Sequence, residues 1–319
     1  MKKKVLNALS PILYRIERLD EDKYGYLLIG PMLFVLSALA FYPLLRTFWV
    51  SLHSDDLRGT YPVGEFSGFD TYSAILSGEM DIILSDPFFS LSNPLSSALG
   101  VTLFITAVSV TIGTLLGLGM ALILNKEFRG RAVARMIVLL PWSIPIVIQG
   151  MIFYLLFQPS ISFLVDPLHS LGLFSSNPLV STRDSIVIVT LIDIWRKVPF
   201  IALIILAGLA SVDQSLYNVA RVAGASKWQQ FRLITLPLIK PVVLIGMIFY
   251  TISSMKVYGV VEASTGCSTV PTLSCLVVDT FRMQRWATAS AIAFLTALLI
   301  AGIIMFYLIN FRSEVGTNE

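Results

Sequence analysis

Few residues in this chain could do chemistry, and nearly all of them interrupt apolar runs. In "DIWRKVPFIALIILAGLASV", Asp193 stands three residues before Arg196 and four before Lys197, which puts both cations within reach of the carboxylate on one helix face. Ionisable groups inside a membrane are costly and face a bundle interior. The trio therefore reads either as a buried paired cluster or as the lining of a polar path. In "LIGMIFYTISSMKVYGVVEAS" the polar positions are Thr251, Ser253, Ser254, Lys256 and Tyr258, and in "LLPWSIPIVIQGMIFYLLFQP" they include Gln149 and Tyr154. Gln149 and Tyr154 lie about a turn apart and face either a water-filled cavity or a neighbouring helix that they hydrogen-bond. There is no G-x-x-x-x-G-K-[ST] phosphate loop, no H-E-x-x-H and no G-x-S-x-G. Two histidines and two cysteines allow no credible metal cluster. No catalytic residue and no metal ligand is expected.

The elements that must position these groups are membrane spans. Of 319 residues, 55% are hydrophobic and 13% charged, with mean hydropathy +0.79, where soluble domains carry about a quarter charged residues. Windows of about 20 apolar residues predict six spans: Tyr26–Ser51, Leu99–Leu124, Met136–Phe157, Ser185–Leu209, Leu238–Val261 and Ala287–Phe311. The expected fold is therefore an all-α polytopic membrane protein. Residues 1–25 form an N-terminal segment, 26–312 the six-helix domain and 313–319 a tail, with an external loop at 52–95. "LNALSPILYRIERL" reads as a surface amphipathic helix or a linker. Gly113 and Gly117 stand in small-xxx-small register, a packing signal. Pro141, Pro145 and Gly150 make the third span the least regular.

Basic residues orient the chain. Lys2, Lys3, Lys4, Arg15, Arg18, Lys23, Lys126, Arg129, Arg131, Arg135, Arg221, Lys227, Arg232, Lys240 and Arg312 fall on one side, against Arg46, Arg58, Arg183, Arg282 and Arg285 on the other. That is 15 against 5, so both termini and the loop 211–237 are expected in the cytoplasm. Cys267 and Cys275 then lie on the oxidising face, where a disulfide or two free thiols are the open alternatives. The loop 211–237 is unusual in holding "YNVARVAGASKWQQFRLITLPLIKP". This reads as two short helices hinged at Gly224, which can adopt φ > 0. Ser226 caps the second, Trp228, Phe231 and Leu233/Ile234 form its apolar stripe, and Pro237 ends it.

That segment resembles the coupling loop of binding-protein-dependent ABC importer permeases. The family pattern is E-A-A, three residues later G-A, then a downstream aromatic and I-x-L-P. Here the matching residues are Asn218, Val219 and Ala220, then Gly224 and Ala225, then Phe231, Ile234, Leu236 and Pro237. The sequence departs at Asn218, where the family usually has Glu, and at Ala223, where Asp is common. "FSGFDTYSAIL" resembles the F-x-G-L-x-N-Y element of sugar-type permeases, and the W-x-x-x-P-F element with "LAGLASV" also matches. The external "TGC" stands where the family often shows T-G-G-P, with Cys267 replacing the second Gly. The resemblance covers nearly the whole chain after residue 25 and points to the maltose/trehalose and glycerol-phosphate group.

The resemblance implies a type I permease fold with a cytoplasmic coupling helix pair between helices 4 and 5. It implies that Asn218, Ala220, Arg221, Gly224, Ala225, Trp228, Phe231, Leu236 and Pro237 dock on a separate ATPase. It places a solute site on the fifth span, at Ser253, Ser254 and Lys256; the residues themselves add Tyr258, Gln149 and Tyr154 to the expected path, and Lys256 could instead snorkel to the interface. The implied partners are a second, non-identical permease (a heterodimer), two ATP-binding subunits and an external solute-binding protein, in the cytoplasmic membrane of a prokaryote. No cofactor is expected in this chain; ATP and Mg belong to the ATPase. The implied function is ATP-driven import of a sugar such as a trehalose/maltose-type solute, with a phosphorylated polyol as the alternative. From another class, an ion-coupled secondary transporter competes, although no internal repeat is evident. An intramembrane enzyme ranks below both.

Overall fold

The computed structural model describes residues 21–315 except 60 and 82. The surface helix or linker expected before residue 21, and the last residues of the tail, lie outside the described residues. The described chain is helical apart from one antiparallel bridge, His53 to Phe66.

The first span is α1 (Glu21–Leu36) and α2 (Tyr42–Ser51), joined by a π turn at Ser37–Phe41 just before Pro43. The wide turn lets the helix pass a proline that would otherwise collide with the preceding turn. A short α3 (Asp70–Ser77) lies in the external loop. Then come α4 (Ala98–Asn125), α5 (Arg131–Ser143), α6 (Ile146–Phe157), the external α7 (Val165–Ser170) and α8 (Thr182–Ala210). The loop after α8 holds α9 (Gln214–Val222) and α10 (Lys227–Gln230). A second π turn, Phe231–Thr235, leads into α11 (Leu236–Met255), followed by α12 (Gly259–Ser264), α13 (Leu273–Arg282) and α14 (Trp286–Val315).

By length and composition, four described helices can cross a membrane: Leu28–Ser51, Ala98–Asn125, Lys227–Met255 and Trp286–Asn310. The bent pair α5–α6 makes up to five. Adding α8, which is 29 residues long and excluded from that set by its central charges, gives a count consistent with the expected six.

Three expectations about the spans are corrected. The third span is not one helix but two, meeting at 89°. Pro145 forces Ile144 out of the helical region to φ −74°, ψ 135°. Pro237 does not end the helix begun at Ser226, which runs on as one 29-residue stretch to Met255. The π turn supplies the reason: the Leu236 N–H bonds back five residues to the Phe231 carbonyl, widening the turn where a proline ring would clash. The fifth span then stops at Met255 rather than Val261, with Lys256 at its C-cap and the separate α12 turning off to pack on α6.

Helix α8 is the axis of the packing, with buried residues on nearly every turn. Its principal partner is α4, and the glycines of α4 explain the close approach. A Cβ on Gly117 would stand 2.5 Å from Cγ2 of Ile201, and one on Gly113 would collide with the Tyr250 ring of α11. Val110, Ala121, Ile201, Ile205, Ile239 and Tyr250 form the core where α4, α8 and α11 meet. Cys267 and Cys275 are joined by a disulfide that closes the turn between α12 and α13, and both lie in the core.

Candidate functional site: an exposed helix pair and a cavity at a helix break

The helix pair between α8 and α11 is built by capping. Asp213 accepts from the Ser215 N–H at 2.8 Å and starts α9; that bond holds its carboxyl below the usual carboxylate range. The helix ends at Gly224, φ +81°, where the Gly224 and Ala225 N–H groups return to the carbonyls of Arg221 and Ala220 at 3.0 and 2.9 Å. Ser226 and Gln229 then form a reciprocal capping box that opens α10. Two further bonds set the angle between the halves: Tyr217 and Thr235 hydroxyls meet at 2.8 Å, and Gln230 Nε2 donates to the Ala225 carbonyl at 2.9 Å. The capping box is legible as S-x-x-Q, but the Tyr217–Thr235 contact joins residues eighteen apart and has no sequence signal.

The outward face of this element is apolar. Val222 is 92% exposed, Val219 69% and Trp228 67%, with the Trp228 ring stacked on Phe231 at 5.6 Å. Asn218 and Arg221 are exposed and hydrogen-bonded to each other at 2.8 Å. Ala220 and Ala225 are half-buried beneath them, and Leu236 and Pro237 are exposed at the start of α11. The predicted coupling residues therefore sit on one contiguous segment, with large apolar side chains presented outward.

The second site is a cavity of about 460 Å³ where α11 breaks. Ser253, Lys256 and Tyr258 line it, together with Arg196 from α8, Ile146 from the start of α6 and Phe249. Of the predicted path residues, Ser254, Gln149 and Tyr154 do not line it. Gln149 is fully buried and donates through Nε2 to the carbonyls of Pro141 and Ile144 at 2.8 and 2.7 Å. Those carbonyls are the ones the bend leaves without helical partners, so Gln149 holds the kink. Tyr154 is 41% exposed on the outer surface of α6.

Ser254 belongs to the ion trio. Asp193 Oδ1 lies 2.7 Å from Lys197 Nζ and 3.4 Å from Arg196 Nη2. Ser254 Oγ donates to Asp193 Oδ2 at 2.6 Å and accepts from Lys197 Nζ at 2.7 Å. The trio is thus paired, and it bridges α8 to α11 directly behind the cavity wall that Arg196 forms. Tyr258 accepts from Arg282 Nη2 at 3.0 Å, and Arg282 also pairs with Glu262 at 3.3 Å.

A helical membrane body with a solute-sized cavity beside a broken helix, and an exposed apolar helix pair on the basic side, defines a transport subunit. The chain belongs to the family of binding-protein-dependent transport system inner membrane components, whose model matches residues 113–315. It is 33% identical over 305 residues to the trehalose/maltose transport system permease protein MalF of Thermococcus litoralis, covering 95% of this chain and 96% of that one. The trehalose transport system permease protein SugA of Mycobacterium tuberculosis is 31% identical over 251 residues, 79% of this chain and 76% of its own. The sulfoquinovosyl glycerol transport system permease protein SmoG of Agrobacterium fabrum is 33% identical over 78% of this chain and 76% of its own. Among solved structures, a bacterial ABC transporter that imports the acidic polysaccharide alginate shares the fold, with TM-score 0.69 at 21% identity over 95% of this chain and 99% of that chain. The chain is a permease subunit and not an enzyme; in this family ATP hydrolysis belongs to a separate subunit.

Proposed function

We propose that this chain forms half of the translocation path of an importer for a neutral di- or oligosaccharide. The observation that carries this reading is the 33% identity to the trehalose/maltose permease over 95% of the chain, a stretch that takes in both the cavity and the cytoplasmic helix pair. Ser253, Tyr258 and the aromatic wall at Phe249 supply the hydroxyl and ring faces that a sugar needs, and Lys256 can donate to a hydroxyl as readily as to an anion. Two permease chains, unlike in sequence, would enclose the solute between them.

The helix pair 214–230 docks in a groove of an ATP-binding subunit, two of which bind ATP and Mg, and an external binding protein delivers the solute. Closure of the two ATPases pushes on Val219, Val222 and Trp228. Each such side chain contributes about 1.5–3 kcal/mol when fully buried, enough for three to hold a lever in its groove. Because α10 continues without a stop into α11, that push travels along one helix to the break at Lys256 and reshapes the cavity there. Both termini lie in the cytoplasm in this arrangement.

The test is purification of the tagged chain from its native host in mild detergent, with identification of what accompanies it. An ATPase, a related permease and a binding protein loaded with a sugar support the reading. A chain that purifies with no ATPase refutes it, and an accompanying binding protein loaded with a phosphorylated polyol refutes the choice of solute.

A further inference from the structure

We propose that the groove between α4, α5 and α8 on the cytoplasmic side is a binding site for one anionic phospholipid. The groove, about 570 Å³, is walled by Leu115, Gly119 and Ile123 of α4, Phe128 of the following turn, Val138 of α5 and Val198 of α8. No polar side chain takes part in its lining. Gly119 has nothing within 4 Å of where a Cβ would stand, so the groove is open along that edge. From Leu115 to Leu124 it follows α4 for roughly 13 Å at 1.5 Å per residue, the reach of much of one acyl chain.

The head of the groove is cationic. The turn and the first part of α5 carry Lys126, Arg129, Arg131 and Arg135, against the single carboxylate of Glu127. Two of these cations are fixed at the groove itself. Leu124 lines it, and the Leu124 carbonyl accepts from Arg131 Nε at 3.0 Å and Arg135 Nη2 at 3.3 Å. Arg131 is therefore anchored at the groove by Nε, and an arginine fork is the group suited to phosphate recognition. Lys126 and Arg129 are exposed on the same turn, Lys126 in the adjoining cleft that Tyr217 and Arg221 also line. An apolar slot running into the membrane and ending under a basic rim on the cytoplasmic side matches a lipid with one buried chain and an anionic headgroup, since basic pockets between spanning helices recognise such headgroups. A soluble anion would leave the slot unfilled, and a neutral lipid would leave the rim without its counter-charge.

The test uses the whole importer in nanodiscs of phosphatidylcholine containing brominated-chain phosphatidylglycerol or, separately, brominated-chain phosphatidylcholine. Leu116→Trp places a fluorescent reporter in the groove, and Phe306→Trp on α14 reports an ordinary exposed apolar surface. The expected result is stronger quenching of the Leu116→Trp signal by the brominated anionic lipid at equal mole fraction, with no such preference at Phe306→Trp. The double variant Lys126→Gln/Arg129→Gln leaves the Arg131 and Arg135 bonds to Leu124 intact, so the turn keeps its anchor. It should lower the apparent affinity for the anionic lipid roughly ten- to thirtyfold, from about 1 kcal/mol per cation at the surface. Equal quenching by the two lipids, or a preference unchanged in the double variant, would overturn the proposal.

Discussion

Replacing Lys197 by Met removes one partner of the buried pair between α8 and α11. Asp193 is fully buried and the Lys197 side chain is 7% exposed, so solvent cannot replace what is lost. Ser254 still donates to Asp193 Oδ2, and Arg196 remains 3.4 Å from Oδ1, but its guanidinium is also needed at the cavity wall. Breaking a buried pair by deleting one member costs about 3–5 kcal/mol. At about 2 °C per kcal/mol for a chain of this size, the unfolding temperature of the detergent-solubilised importer should drop by roughly 6–10 °C. Asp193→Asn should cost a comparable amount by leaving Lys197 without its counter-ion. The double variant Lys197→Met/Asp193→Asn should recover at least half of the loss, because it removes both charges together. The assay is thermal unfolding followed by intrinsic fluorescence for the two single variants, the double variant and the parent. Single variants within 2 °C of the parent, or a double variant as unstable as the sum of the singles, would refute the view that this pair is coupled and buried.

Other expectations follow from equally local features. Gly224→Val meets no neighbour, since nothing lies within 4 Å of the would-be Cβ, so its cost is backbone strain at φ +81° of about 1–2 kcal/mol. Solute-stimulated ATP hydrolysis should fall while the chain still assembles; unchanged stimulation would argue against a lever. Gly117→Leu must displace Ile201 at the α4–α8 contact and should lower stability by about 1–3 kcal/mol, read as a lower unfolding temperature. Cys267→Ser opens a bridge spanning eight residues and should cost about 2.5 kcal/mol by loop-closure entropy, an effect that reductant should reproduce in the parent and not in the variant. Burial, with the Asp279 charge adding, holds the Asp86 carboxyl above its ordinary 3.8. A raised carboxylate value means the folded state binds the proton more tightly than the unfolded one. Stability should therefore decline as pH rises from 3.8 through the raised value, and Asp86→Asn should flatten that decline in thermal scans.

Much of the architecture was legible because its signals are local. Apolar run length located the helices to within a few residues at most boundaries, but not the end of the fifth span, which stops at Met255 rather than Val261. The helix-breaking role of Pro145 could be read, but the 89° bend could not, because its angle depends on how α6 packs against α12. Pro237 was misread for the same reason. A proline's cost depends on whether the preceding turn can widen, and the π turn at Phe231–Thr235 is stabilised by the distant Tyr217 hydroxyl. Asp55 shows the limit most plainly. It caps α14 by accepting from the Ala287 and Thr288 N–H groups at 2.8 and 3.2 Å, across more than two hundred residues of chain. Nothing near Asp55 in the sequence marks that role.

The sequence by itself determined the class of molecule and the capping of the helix pair. Each of these depends on composition or on residues within a turn of one another. Tertiary structure alone decided the division of labour among polar groups in the membrane. Gln149, Ser254 and Lys256 look alike in a sequence, as isolated polar positions in apolar runs. Packing sends Gln149 to the carbonyls of a bend, Ser254 to a buried ion pair and Lys256 to a cavity. A buried polar group must find a partner, and only the arrangement of helices determines which partner lies within reach.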